Sequence, residues 1–356
     1  KWEAHYENWN LVLKPKGGGK TLPVTTDGNE NIHYGTASWV YGEELNQNKA
    51  MWWTPDSKKL LFYKFDDTGV EAFHLVTGWS KINTKAYPEF YPKAGAKNPA
   101  ALLMSYDIRS RKILKVKLKG GSEAYIYHIR ASADGATMLV NWTDRLQHDL
   151  KVYAIDLETG DCRVVVEEHQ DTWQTNRPGM RYLADKQRFI WTTDKSGFTH
   201  YELRNLDGEL LNPITSGAFQ SAGIQFVDET AGTLGFTGYS SIANPYFLQY
   251  HLVGLDGKGQ RRVTALDYHH SNFSLSPDKK WLVAQYEKVN TPPGTALYST
   301  NGKFIADLAK SDADSAADLA EMFKFRSNDD QFDIYGILYK PSDFDPKKSY
   351  PVINAL

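Results

Sequence analysis

The chain has 356 residues, 41% of them apolar and 13% aromatic, with a formal net charge of −2. That length holds two or three ordinary domains or one large all-β domain, and the near-neutral balance excludes a basic nucleic-acid face and an acidic tail. A lone cysteine, Cys162, excludes an internal disulfide framework and reads as a small buried hydrophobe; no apolar run reaches the ~18 residues of a membrane span, and no signal peptide is recognisable.

The first motif in chain order is "GGGKT" (Gly17–Thr21). A phosphate loop needs a glycine where Lys14 stands, and a helix afterwards. Here "LPVTTDG" follows, which is strand and turn, so a hairpin tip is expected. Next comes "TASWVYGEEL" (Thr36–Leu45), which sets Glu43 and Glu44 side by side after a Trp-Val-Tyr run. Adjacent residues on a regular strand point to opposite faces, so both can serve one pocket only where the chain turns. Gly42 supplies that freedom. Two converging carboxylates repel each other and hold a proton between them unless a cation relieves them. An ammonium group has three donors and fits, and a free peptide N-terminus is such a cation. Taken alone, a solvated glutamate pair in a loop is the expected reading.

From there the chain repeats. A turn signature of the SPDG type, entering a strand-like run, recurs at Thr54–Phe65, Ser132–Trp142, Leu183–Thr193, Val227–Thr237 and Ser276–Tyr286. A second signature closes on Gly160, Gly208, Gly257 and Gly302, spaced 48, 49 and 45 residues apart. Four short strands need about that length, and all-strand periods of ~40–50 residues mean propeller blades. The fold class is therefore all-β, a β-propeller with about six blades present.

Other motifs carry less. "GWSKI" (Gly78–Ile82) and "GYSSI" (Gly238–Ile242) begin like nucleophile elbows but lack the closing glycine of G-x-S-x-G, so neither is expected to hold a nucleophile. His269 and His270 have no second cluster at metal-ligand spacing, and a turn or packed site is expected there. Asn141 and Asn272 head glycosylation sequons of a kind common by chance. Helical spacing is best in "SDADSAADLAEMFKF" (Ser311–Phe325), where the repeats stop. Beyond it an alternating strand, a Pro-Ser-Asp turn and an apolar strand from Tyr350 read as the opening of an α/β domain. The division expected is 1–322 for the propeller and 323–356 for that second domain.

Four stretches together carry a resemblance to a known family. "SWVYGEEL" resembles the D-W-V-Y-E-E-E segment of the dipeptidyl peptidase IV family of serine peptidases. "MWWTPDSKKLLFYKFDD" (Met51–Asp67), "YPKAGAKNP" (Tyr91–Pro99) and "LYKPSDFDPKKSYPVINAL" continue it across the chain. The resemblance implies an eight-bladed propeller followed by an α/β-hydrolase domain. It implies that Glu43 and Glu44 grip the α-amino group of a peptide substrate, so that dipeptides leave from the N-terminus after proline or alanine. Arg177, in "WQTNRPG", is the match for an arginine that contacts the substrate backbone. Gly42 replaces the motif's first glutamate, and Ser38 its opening aspartate. The catalytic serine, aspartate and histidine are expected beyond Leu356, which leaves no catalytic residue in this chain and makes it inactive by itself. The resemblance implies no cofactor and no metal. Its partners would be a peptide with a free N-terminus, the chain's own hydrolase domain and, as one assembly of the full-length enzyme, a homodimer. The implied location is periplasmic, secreted or membrane-anchored outside the cell. The rival expectation is a non-catalytic propeller of the same family serving protein interaction.

Overall fold

The computed structural model describes residues 2–119, 121, 123–176, 178–241, 244–312 and 320–355. It is an all-β chain of the β-propeller class, and its contacts divide it into two compact units. The first is Lys1–Gly197 with Tyr201–Pro213, the second Phe198–His200 with Ile214–Leu356.

The first unit begins with a three-stranded sheet (Trp2–Glu7, Asn10–Pro15, Leu22–Pro23), and the glycines of "GGGKT" form the expected hairpin tip there. A five-stranded sheet follows, built on the antiparallel pair Lys59–Asp66 and Ala100–Asp107. Ile32–Tyr34 and Met51–Trp53 also pair with Lys59–Asp66, and Ile113–Lys115 lies outside Ala100–Asp107. Between the two central strands a separate hairpin stands out, Ala72–Thr77 against Lys85–Phe90. Then comes a four-stranded meander, Ala124–Ala131, Met138–Asp144, Asp149–Ile155 and Cys162–His169. A second meander runs Met180–Tyr182, Arg188–Thr193, His200–Asn205 and Leu210–Pro213.

The second unit holds two more meanders. One is Gln220–Asp228, Thr233–Tyr239, Leu248–Gly254 and Arg261–Arg262; the other is His269–Leu275, Trp281–Lys288, Thr291–Ser299 and Lys303–Lys310. The hairpin of Ala320–Arg326 and Asp333–Tyr339 follows them.

Both periodic signatures have a physical cause. In the SPDG-type turns a hydroxyl meets the aspartate two residues on: Thr54 with Asp56 (2.7 Å), Ser132 with Asp134 (2.5 Å) and Ser276 with Asp278 (2.6 Å). Each aspartate also accepts a backbone amide further along, at 3.1, 3.0 and 3.2 Å. These bonds hold the three carboxyls below their ordinary range. The periodic glycines sit at left-handed φ, +77° at Gly160, +93° at Gly208 and +88° at Gly302. A Cβ there would also lie 2.6 Å from the Lys115 carbonyl oxygen, 1.6 Å from that of Val165 and 2.9 Å from that of Arg262. Each of those carbonyls belongs to the outermost strand of the preceding sheet. The glycine thus turns the chain and lets one sheet approach the next.

The central strands Met138–Asp144 and Leu248–Gly254 are buried on both faces. Aromatic side chains dominate the first unit's core: Tyr41, Tyr63, Phe65, Tyr127 and Trp191 are almost wholly enclosed. Burial of one such side chain stabilises by about 2–3 kcal/mol.

Two expectations near the C-terminus need correction. Residues 313–319 of the expected helix lie outside the described residues, and Ala320–Arg326 is a strand. The alternation there overrides the helical spacing: Phe323 and Phe325 stack at 5.9 Å, while Lys324 and Arg326 both pair with Asp333. From Tyr350 to Ala355 the chain is irregular and pairs with no strand among the described residues. Among the described residues no strand lies beside the apolar run to satisfy its backbone as a ladder.

Candidate functional site

Glu43 and Glu44 lie on the seven-residue helix Trp39–Leu45. The helix resolves the geometric difficulty of the sequence, since neighbours on it are about 100° apart rather than on opposite faces. Val40, Tyr41 and Leu45 face the core, and both glutamates are exposed together on the other side. Ser38 occupies the N-cap position without a side-chain cap bond. Asn46 closes the helix at left-handed φ 53°, and the Gln47 amide bonds back to the Tyr41 carbonyl at 2.9 Å. A Cβ at Gly42 would sit 3.1 Å from Asn48 Oδ1, so a glutamate here would have to displace that side chain.

The helix is bolted to the first meander. Tyr41 Oη accepts the Ile126 amide (3.1 Å), Tyr63 Oη donates to the Ile126 carbonyl (2.5 Å), and Gln47 Oε1 accepts the His128 amide (2.8 Å). The Tyr41 ring meets Tyr63 and Phe65 edge-on at 5.7 and 4.9 Å. Burial pushes both tyrosine hydroxyls well above 10, so they remain protonated.

Glu44 lines a cleft of about 940 Å³ within the first unit. Its aromatic side is Trp39 against Tyr91 (4.1 Å), with Phe73 beyond Tyr91 at 6.2 Å. Its polar side is fixed by hydrogen bonds: Asn98 Nδ2 donates to Tyr125 Oη (2.7 Å) and Asn176 Nδ2 to Gln147 Oε1 (3.2 Å). Arg145 donates to the Ala96 carbonyl and so holds the Tyr91–Ala96 segment over the cleft. Carboxylate, guanidinium, amide and aromatic groups around one cleft suit a short peptide with a charged end.

A larger cavity, about 1,110 Å³, opens at the other end of the same strands, around Lys59, Asp107, Met138 and Cys162. Its groups are already committed: Lys59 Nζ bonds the Leu157 carbonyl and Glu158, each at 2.6 Å, and Asp56 and Asp156 cap turns. The Cys162 thiol is pushed up to about 11 by burial, which makes it unreactive. Neither Glu43 nor Glu44 lines this cavity.

Arg177 lies outside the described residues; its neighbour Asn176 lines the cleft. His270 is a packed core residue, bonded to the Tyr268 carbonyl (2.9 Å) and Tyr298 Oη (2.8 Å), and His269 Nδ1 meets the Leu248 amide. Among the described residues no group of three metal-ligating side chains converges. Ser240 sits 2.8 Å from His251 Nε2, but that imidazole is pushed down to about 4, a poor base near neutrality. Sequence reasoning passed over Asn98, Tyr125, Arg145 and Gln47. Asn98 falls within the "YPKAGAKNP" phrase, which was the one available signal.

The sequence profile of the dipeptidyl peptidase IV (DPP IV) N-terminal region matches residues 1–293. The chain belongs to that family. Within the DPP IV N-terminal region family, dipeptidyl-aminopeptidase B of Aspergillus niger is 26% identical over 392 residues, covering 97% of this chain and 42% of the relative. The chain thus spans less than half the length of that relative. Among solved structures, dipeptidyl peptidase 4 of Porphyromonas gingivalis superposes with a TM-score of 0.73 at 22% identity, covering 98% of this chain and 50% of the other. That likeness shows the fold. The named relatives make this the propeller region of a peptidase family.

Proposed function

We propose that this chain is the substrate-recognition propeller of a serine-type dipeptidyl peptidase, and that Glu43 and Glu44 hold the ammonium group of the substrate. The observation that carries the reading is the helix, which turns two consecutive carboxylates to one exposed side beside a peptide-sized cleft. With its amine fixed there, a peptide is measured out from its N-terminus, and the second peptide bond is the one presented for cleavage. The first side chain would lie along Trp39, Tyr91 and Tyr125, while Arg145 and Asn98 face the backbone carbonyls. Preference for proline or alanine at the second position, and the serine, histidine and aspartate that cut, belong to the hydrolase domain of the parent enzyme. Each grip carboxylate loses water when the peptide docks, and in exchange accepts charge-assisted hydrogen bonds.

Pairing of two copies in the full-length enzyme is part of the same proposal. The hairpin Ala72–Phe90 supports it, since Phe73, Leu75, Trp79, Ile82 and Tyr87 are all exposed there. The test of the grip itself is a titration with Ala-Pro amide and its N-acetylated form. The free amine should bind at least a hundredfold more tightly; equal affinities would remove the basis of the reading.

A further inference from the structure

Among the described residues the strand Ala124–Ala131 pairs with Met138–Asp144 alone, at the edge of its sheet, so alternate residues turn their backbone groups away from that partner. Ile126 and His128 are such residues, and side chains from outside the ladder take their groups. His128 stands at left-handed φ 52° in the bulge between Tyr127 and Arg130. Its amide goes to Gln47 Oε1 at 2.8 Å and its carbonyl to the Arg130 guanidinium at 2.7 Å.

Gln47 is shaped for that contact. It is 7% exposed, its Nε2 donates to the Lys49 carbonyl at 2.9 Å, and its own amide caps the glutamate helix. One residue therefore joins the helix end, through its backbone amide, to the following turn and the bulge, through its side chain. The same edge strand carries Tyr125, which lines the cleft and packs its ring 6.0 Å from Tyr41 of the helix.

We propose that Gln47 is a positioning residue for the glutamate pair, fixing the Trp39–Leu45 helix at one spacing from the bulged edge strand and its Tyr125. The inference rests on the amine-binding reading given above. Without the Gln47 side-chain amide, the part-buried His128 N–H loses its Oε1 acceptor and the turn after the helix loses its tie to the bulge, while the backbone cap at Tyr41 remains. The glutamates then meet the substrate ammonium from a shifted position. Such an effect falls on binding more than on the chemical step.

Gln47→Met keeps the side-chain volume and removes both hydrogen bonds. In the full-length protein, with a chromogenic Ala-Pro substrate, KM should rise at least tenfold while kcat stays within threefold. Gln47→Glu retains an acceptor for the His128 amide and should recover at least half of that loss on a logarithmic scale. Thr264→Val, in the second unit, removes buried hydrogen bonds to Gln249 and the Tyr250 amide and serves as the stability control. It should lower Tm comparably and leave KM unchanged. If Glu43→Ala and Glu44→Ala leave KM and kcat unchanged, or the unmodified protein does not turn over, the amine-binding reading itself fails. If the glutamate variants behave as expected while Gln47→Met raises KM no more than Thr264→Val does, the positioning role is overturned and the grip stands.

Discussion

Replacing Gly208 by alanine tests why the period of the sequence exists. The added Cβ would lie 1.6 Å from the Val165 carbonyl oxygen, and the residue stands at φ +93°. A left-handed φ costs an L-residue about 1–2 kcal/mol. Forcing apart two packed backbone segments adds about 1–3 kcal/mol more, because neither atom belongs to a flexible side chain. The expected loss is therefore about 2–5 kcal/mol, a fall in Tm of roughly 3–7 °C for a chain of this size. Gly197 provides the comparison, with φ +84° and nothing within 4 Å of the added atom. Gly197→Ala should cost only the conformational part, about 1–2 kcal/mol. Thermal unfolding of both variants, followed by near-ultraviolet circular dichroism, decides it. Equal losses would show that the period records turn geometry alone and not the approach of adjacent sheets.

The buried histidines predict an acid-sensitive second unit. His251 and His270 are held neutral, mainly by desolvation, with pKa values pushed down from 6.5 to about 4. In the unfolded chain they take up protons near pH 6.5, so their contribution is intact above that value and is lost as pH falls toward 4. At 1.36 kcal/mol per pKa unit this amounts to about 3 kcal/mol for each. Tm measured between pH 6.5 and 4 should fall more gently in His270→Gln than in the unmodified chain; parallel profiles would contradict the assignment.

The β-propeller was legible because two separate physical demands recur together. The hydroxyl–aspartate turns must satisfy amides at each hairpin, and Gly160, Gly208 and Gly302 must clear a neighbouring carbonyl. Both demands restrict residue type, so both leave a mark in the sequence. The helix carrying Glu43 and Glu44 left almost none. At seven residues it is too short to show a period, and its stability comes from Tyr41 and Gln47 reaching a strand some 80 residues away. The cleft wall was hidden for the same reason. Tyr125 and Arg145 look like ordinary strand and turn residues until the meander brings them beside Glu44. Of the segment expected as a helix, the described residues Ala320–Arg326 form a strand, because the phenylalanine–cation alternation there pairs with Asp333–Tyr339.

The amine grip is tested most directly by steady-state kinetics of the full-length protein and its Glu43→Ala and Glu44→Ala variants on an Ala-Pro substrate. Removing one partner of a desolvated ion pair costs about 3–5 kcal/mol, so kcat/KM should fall at least a hundredfold in each variant. A fall of less than about threefold in both would contradict the claim that this helix holds the substrate's amino terminus.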